Sequence, residues 1–207
     1  MSSQILIADD YPVVRHGLSF MIKDKYPDAD IFFAADFDTV LQTLMERKLT
    51  LAICDVNMPG CNNFHMVHAI KQVQPEVKII IYSGYSEKLY AQRFLKAGAD
   101  AYLAKDADNQ YLMDAMRCIL GNDHHLISTP NKEADKGTIN PITLLSDREL
   151  EIAHLFVKGW GSLEICNALG LNKTTVSTYK KRIYDKMNIS TLSELVTAYK
   201  NYPDIII

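Results

Sequence analysis

Five residues of this chain have side chains suited to handling a phosphoryl group, and each closes a short apolar run. Asp9 and Asp10 follow 4–8, Asp55 follows 49–54, Ser83 follows 77–82, and Lys105 lies just past 101–103. Three carboxylates brought together repel one another, and all stay ionised only around a cation. Hard oxygen donors with room left for water and phosphate suit Mg2+. The metal shields an incoming phosphoryl group, so that a carboxylate can attack phosphorus. Lys105 adds a point charge for one phosphoryl oxygen, and Ser83 offers a hydroxyl to another. This is the chemistry of forming an aspartyl phosphate. A lone Asp at a strand end is more commonly a helix N-cap; the ordered set of five is what argues for function.

The elements that must position these residues are legible as an alternation. Apolar, strand-like runs at 4–8, 30–34, 49–54, 77–82 and 101–103 are separated by helical spacing at 12–22, 37–45, 64–73, 89–97 and 109–120. In the first helix the apolar positions are Val13, Val14, Gly17, Leu18 and Met21, and in the second Val40, Leu41, Leu44 and Met45. Continuous rather than alternating apolar strands predict a parallel sheet covered by helices on both faces, a doubly wound α/β domain. In such a sheet function collects at the carboxyl ends of the strands, where the five residues stand.

The periodicity stops near Gly121. Residues 122–141 are rich in Asn, Asp, Ser, Thr, Pro and Gly and read as a linker, with a short ordered piece expected at 125–127. Beyond it only helical pattern remains. The boundaries are therefore 3–121, 122–141 and 142–207. The formal net charge is −3, which by itself would discourage a nucleic-acid partner. Its distribution reverses that: 1–120 carry 12 Lys+Arg against 15 Asp+Glu, whereas 141–207 carry 8 against 7. Lys173, Lys180, Lys181, Arg182 and Lys186 crowd one short stretch, as phosphate contacts require.

The acidic set sits in motifs of high specificity. Ala8-Asp9-Asp10-Tyr11-Pro12, Asp55-Val56-Asn57-Met58-Pro59-Gly60, Ser83, Ala97-Gly98-Ala99 and Leu103-Ala104-Lys105 resemble the receiver domain of bacterial response regulators over about residues 3–121. The resemblance implies a five-stranded flavodoxin-like fold with Asp55 as phosphoacceptor. It also implies Asp10 and Asp55 as direct Mg2+ ligands, Asp9 acting through water and the Asn57 backbone carbonyl completing the set. Ser83 and Lys105 would hold the phosphoryl group. Tyr102 matches an aromatic position that changes rotamer with phosphorylation, and equally suits a half-buried core aromatic. Asn62-Asn63 stands where the family often has Asp-Gly, Ser83 where it often has Thr, and Asp106 where many members have Pro. Asn tolerates positive φ and the hydroxyl survives, so the chemistry is expected to persist.

In the C-terminal part, Ser146 and Glu149 form a capping box that opens a helix with Leu150, Ile152, Ala153, Leu155, Phe156 and Val157 on its apolar face. A short helix over 162–169 is expected to turn Leu163, Ile165, Cys166 and Leu169 inward. Gly170 turns the chain, and Asn172 caps a third helix over 173–187 that buries Val176, Ile183 and Met187. Two short helices followed by a polar, basic one make a helix-turn-helix, whose last helix enters the major groove. The motifs Leu145-Ser-x-Arg-Glu, Glu164-Ile165 and 173–180 resemble the LuxR-type output domain over about residues 142–200, and together with the receiver they point to the NarL/FixJ class of response regulators. That resemblance implies base contacts by Ser177, Thr178 and Lys181. Lys173, Thr174, Thr175, Lys180 and Lys186 would contact phosphates or play a secondary part, and a helix over 192–199 would mediate dimerisation. Gly161-Ser162-Leu163 replaces the family's usual Ser-Asn-Lys, next to the only tryptophan, Trp160, expected at a rim.

The implied partners are a sensor histidine kinase, double-stranded promoter DNA and a second copy of the chain. The four cysteines have no paired or metal-type spacing, and no stretch is long enough to span a membrane, so a cytoplasmic location and no membrane partner are expected. His65, His68, His124 and His125 lack ligand spacing and read as solvated. Two rivals remain. One is a regulator that binds DNA irrespective of phosphorylation. The other is an aspartyl-phosphate-forming phosphatase of the haloacid dehalogenase kind, which needs an acid where Asn57 stands. The expectation is a regulator and not an enzyme.

Overall fold

The computed structural model describes residues 3–61, 65–85, 87–121 and 141–200. The Asn62-Asn63 turn, all but the last residue of the expected linker, its short ordered piece, and His124 and His125 lie outside the described residues. The chain forms two compact units, and each is described by itself.

The first unit alternates strand and helix throughout: β1 Gln4–Ala8, α1 Pro12–Lys25, β2 Asp30–Ala34, α2 Phe37–Glu46, β3 Leu51–Cys54, α3 His65–Val73, β4 Lys78–Ser83, α4 Glu87–Ala97, β5 Ala101–Ala104 and α5 Asn109–Leu120. The five strands are parallel and ordered β2-β1-β3-β4-β5. The central strands β1, β3 and β4 are buried almost end to end, while the edge strand β2 is half exposed. This is why their sequences run apolar without alternation. Ile5, Ile7, Ile53 and Ile80 pack with Leu18 and Ile22 of α1 and Leu112, Met116 and Ile119 of α5. The alternate strand positions Leu6, Ala52, Ile79 and Ile81 face the other way, toward the layer in which α2, α3 and α4 pack in sequence.

Two helix faces depart from expectation. In α1 the buried pair is Leu18 and Ile22, and Val13 is 76% exposed. In α2, Met45 lies outward at 71%. Both stand next to an inward position at the end of the apolar stripe, where a 100° step carries the side chain off the contact face.

The second unit begins with a 3-10 turn at Pro141–Leu144, followed by α6 Asp147–Val157, α7 Ser162–Leu169, α8 Lys173–Met187 and α9 Leu192–Lys200. Ser146 and Glu149 close the expected capping box, and Asn172 accepts from Thr175 N–H at the start of α8. Gly170 takes φ 62° at the turn between α7 and α8, a left-handed conformation that suits glycine. Val176, Ile183 and Met187 are the buried residues of α8. Leu163 corrects the expectation for α7, since it is 69% exposed. It precedes the buried Ile165 by two residues, about 200° around the helix, and so cannot share its face. Trp160 lies at a rim, 39% exposed.

Candidate functional site

The strand order reverses between β1 and β3, which opens a crevice at their carboxyl ends. Ala8 is registered opposite Cys54, so the next residues on the two strands, Asp9 and Asp55, emerge side by side. The Asp55 N–H donates to Ala8 O at 2.8 Å and the Asp9 N–H to Ala34 O at 3.1 Å, which extends the ladder into the pocket. Asp9 and Asp55 are almost fully buried. One oxygen from each of Asp9, Asp10 and Asp55 lies within 4.8 Å of the others.

Lys105 reaches this cluster from the end of β5, its N–H anchored to Ser83 O at 2.7 Å. The ammonium donates to Asp9 Oδ2 at 2.6 Å and to Asp55 Oδ2 at 2.9 Å. Burial works against the charged lysine, but the hydrogen bonds and charges of Asp9 and Asp55 outweigh it and hold its pKa above the usual value. For Asp55 burial is the larger influence and raises the carboxyl, with Lys105 opposing. Two short charge-assisted hydrogen bonds favour the ionised pair.

Asp10 Oδ1 and Asp55 Oδ1 are buried oxygens without a hydrogen-bond partner among the described residues. Buried polar atoms are rarely left so. Close, hard oxygens with spare lone pairs are the donors a small divalent cation takes, so the residues fit Mg2+.

Ser83 is fully buried and its Oγ accepts from the Tyr85 N–H at 3.2 Å. Tyr102 is 1% exposed, a core position, and its hydroxyl donates to the Tyr85 carbonyl at 2.7 Å. Tyr85 is a residue that the sequence reading passes over. Its hydroxyl donates to Asn57 Oδ1 at 3.1 Å, and its ring stacks on Tyr90 with centroids 5.1 Å apart. Only the spacing of two residues from Ser83 could have signalled it. His65 and His68 are exposed, and all four cysteines are free.

In the second unit α8 exposes Lys173, Thr174, Ser177, Thr178 and Lys181 together. Three other candidates are engaged within the unit. Thr175 Oγ1 donates to Asn172 Oδ1 at 2.7 Å. Lys180 lies over the Phe156 ring at 5.3 Å. Lys186 donates to the buried Glu149 at 2.5 Å. Arg148 pairs with Glu151 at 2.5 Å and donates to Leu169 O at 3.2 Å, which ties the start of α6 to the end of α7.

A sheet with an acidic switch-point pocket, joined in one chain to a helix-turn-helix, defines a regulator with a receiving part and a DNA-binding part. Residues 5–117 match the response regulator receiver domain and residues 143–199 the bacterial regulatory proteins of the luxR family, and the chain belongs to the response regulators that join the two and regulate transcription. It is 30% identical over 204 residues to the Fimbriae Z protein of Escherichia coli K12, covering 97% of each chain. It is 32% identical to the oxygen regulatory protein NreC of Staphylococcus haemolyticus, covering 93% of this chain and 94% of that one. Its fold is similar to that of RcsB from Salmonella enterica serovar Typhimurium bound to promoter rprA in the presence of phosphomimetic BeF3−. The TM-score is 0.77 at 21% identity, over 95% of this chain and 98% of that chain. Among the described residues no helix is long and apolar enough to cross a membrane.

Proposed function

We propose that Asp55 accepts a phosphoryl group from a sensor histidine kinase, and that this controls dimerisation and the binding of promoter DNA by residues 142–207. The observation that carries the reading is the cluster of buried Asp9 and Asp55 with half-buried Asp10, and the Lys105 ammonium held between Asp9 and Asp55. Asp10, Asp55 and the Asn57 carbonyl would hold Mg2+, with Asp9 acting through water; when bound, the cation offsets the charge between the carboxylates and the phosphoryl oxygens. An Asp55 carboxylate oxygen attacks phosphorus and the donor leaves with its electron pair. Lys105 and Ser83 then take two of the phosphoryl oxygens. The Ser83 hydroxyl donates its own hydrogen to the phosphoryl oxygen while Oγ still accepts from the Tyr85 N–H, and Tyr102 donates to the carbonyl of that same residue.

In this reading residues 3–121 are the receiver and 122–141 the linker, and the protein is a cytoplasmic switch that turns over no external substrate. Ser177, Thr178 and Lys181 read base edges, and Lys173, Thr174, Thr175, Lys180 and Lys186 serve the DNA backbone or the positioning of the helix. The exposed polar face of α8 supports this, as does the promoter complex of RcsB, a protein similar in fold. Intact mass with Mg2+ and acetyl phosphate tests the chemistry. A single phosphate adduct is expected on the wild type and none on Asp55→Asn; adducts on both, or on neither, overturn the assignment.

A further inference from the structure

The three carboxylates of the pocket are held in different ways. Asp9 joins the sheet ladder through its N–H, its Oδ1 accepts from the Tyr11 N–H at 2.9 Å and its Oδ2 from Lys105. Asp55 is held by the ladder and by the same lysine. Asp10 makes no hydrogen bond of its own among the described residues, from main chain or side chain. Its position is therefore set by its two neighbours, and half-buried Arg15 of α1 bonds to both. The Arg15 Nη1 donates to Asp9 O at 2.5 Å, and the Arg15 main-chain N–H donates to Tyr11 O at 3.3 Å. Asp9 O belongs to the peptide that joins Asp9 to Asp10. Rotation of that peptide swings the Asp10 carboxylate away from Asp55, and a charge-assisted hydrogen bond resists the rotation. Because the guanidinium is taken by a carbonyl, the Asp10 oxygens stay available to a cation.

We propose that Arg15 is a positioning residue that fixes Asp10 for Mg2+ and thereby sets the preference of the pocket for Mg2+ over Ca2+. The inference rests on Asp10 being a metal ligand, as proposed above. Mg2+ demands near-ideal octahedral geometry with short bonds, whereas Ca2+ accepts longer bonds and a flexible shell. A carboxylate freed to shift costs Mg2+ more than Ca2+ for that reason. Groups that orient a ligand without touching the metal commonly set affinity by about tenfold or more. The charge of Arg15 acts in the opposite sense, since a cation beside the pocket repels another. Removing Arg15 thus weakens Mg2+ binding if the residue positions Asp10, and tightens it if the residue is only a nearby charge. The sign of the change separates the two.

The test is isothermal titration calorimetry of the full chain with MgCl2 and, separately, with CaCl2. Arg15→Ala is expected to raise the Mg2+ dissociation constant about tenfold and the Ca2+ constant by less than about twofold. Arg15→Lys keeps the charge and a single donor, and is expected to raise the Mg2+ constant about threefold with Ca2+ again little changed. Alanine and lysine both favour helix, so α1 is expected to persist, and far-ultraviolet circular dichroism checks it. Where Arg15→Ala does not fold, the ratio of the two constants in Arg15→Lys decides. An Mg2+ constant that is unchanged or lower in Arg15→Ala overturns the positioning role, and so does an equal weakening for both cations. Either result leaves the function proposed above intact as long as the wild type binds Mg2+. A wild type that binds no Mg2+ overturns the metal ligation by Asp10 together with the inference built on it.

Discussion

The Lys105 ammonium donates to Asp55 Oδ2 at 2.9 Å across 50 residues of sequence, and its second hydrogen bond, to Asp9, makes it the charge that holds two buried carboxylates together. Removing it leaves an acidic cluster without its fixed cation. Lys105→Ala is therefore expected to lower the stability of the first unit by about 2–3 kcal/mol when Mg2+ is absent. The check is urea unfolding in EDTA, monitored by circular dichroism. Added Mg2+ should recover part of the loss and leave phosphate uptake defective.

The unpartnered oxygens of Asp10 and Asp55 predict that Mg2+ stabilises the wild type. At about ten times its dissociation constant the gain is ~1.4 kcal/mol. A titration of unfolding midpoint against Mg2+ checks this, with Ca2+ as the comparison. Asp10→Asn should flatten the response, since it removes a charged donor without altering the sheet beneath it.

Much of this arrangement was legible in the sequence because each part is locally encoded. A parallel sheet turns strand ends into one edge, so Asp9, Asp10, Asp55, Ser83 and Lys105 could be grouped without knowing a distance. The capping box of Ser146 and Glu149 and the stripe Val176, Ile183 and Met187 were legible for the same reason. Contacts set by tertiary packing were not. The bond from Tyr85 to Asn57 spans 28 residues and that from Lys186 to Glu149 spans 37, and neither side chain carries a local sign of its partner. Leu163 misled because composition without phase assigns it to a core that its position on α7 cannot reach.

Lys181 and Lys186 stand five residues apart on α8 with different surroundings: Lys181 is exposed, and Lys186 is bound to Glu149. Lys181→Ala is expected to weaken binding to promoter DNA by about 1–3 kcal/mol, to relax the base preference at the position it reads and to leave stability unchanged. Lys186→Ala should instead cost about 1–2 kcal/mol of stability, since it strips a partner from a buried carboxylate. Fluorescence anisotropy at several salt concentrations, with urea unfolding alongside, separates the two. Unchanged affinity and base preference in Lys181→Ala would remove Lys181 from the interface.

His154 gives the second unit a dependence on pH. It is 5% exposed on α6, and burial, aided by the charge of Lys158, pushes its pKa down from 6.5 to about 4. The unfolded chain takes up a proton below about 6.5 and the folded one does not until about 4, so stability is lost as pH falls through that window and levels off below it. The full effect is about 3 kcal/mol. Trp160, the only tryptophan, reports on this unit by fluorescence during urea unfolding at pH 7, 6 and 5. His154→Gln cannot titrate there, so its midpoint should fall less with pH than that of the wild type, whatever its stability at pH 7. Parallel slopes for the two proteins would mean that His154 is protonated in the folded state, and the acid sensitivity would then belong to carboxylates such as Glu149. That carboxyl is held below its usual range because Lys186 and Ser146 outweigh the effect of burial.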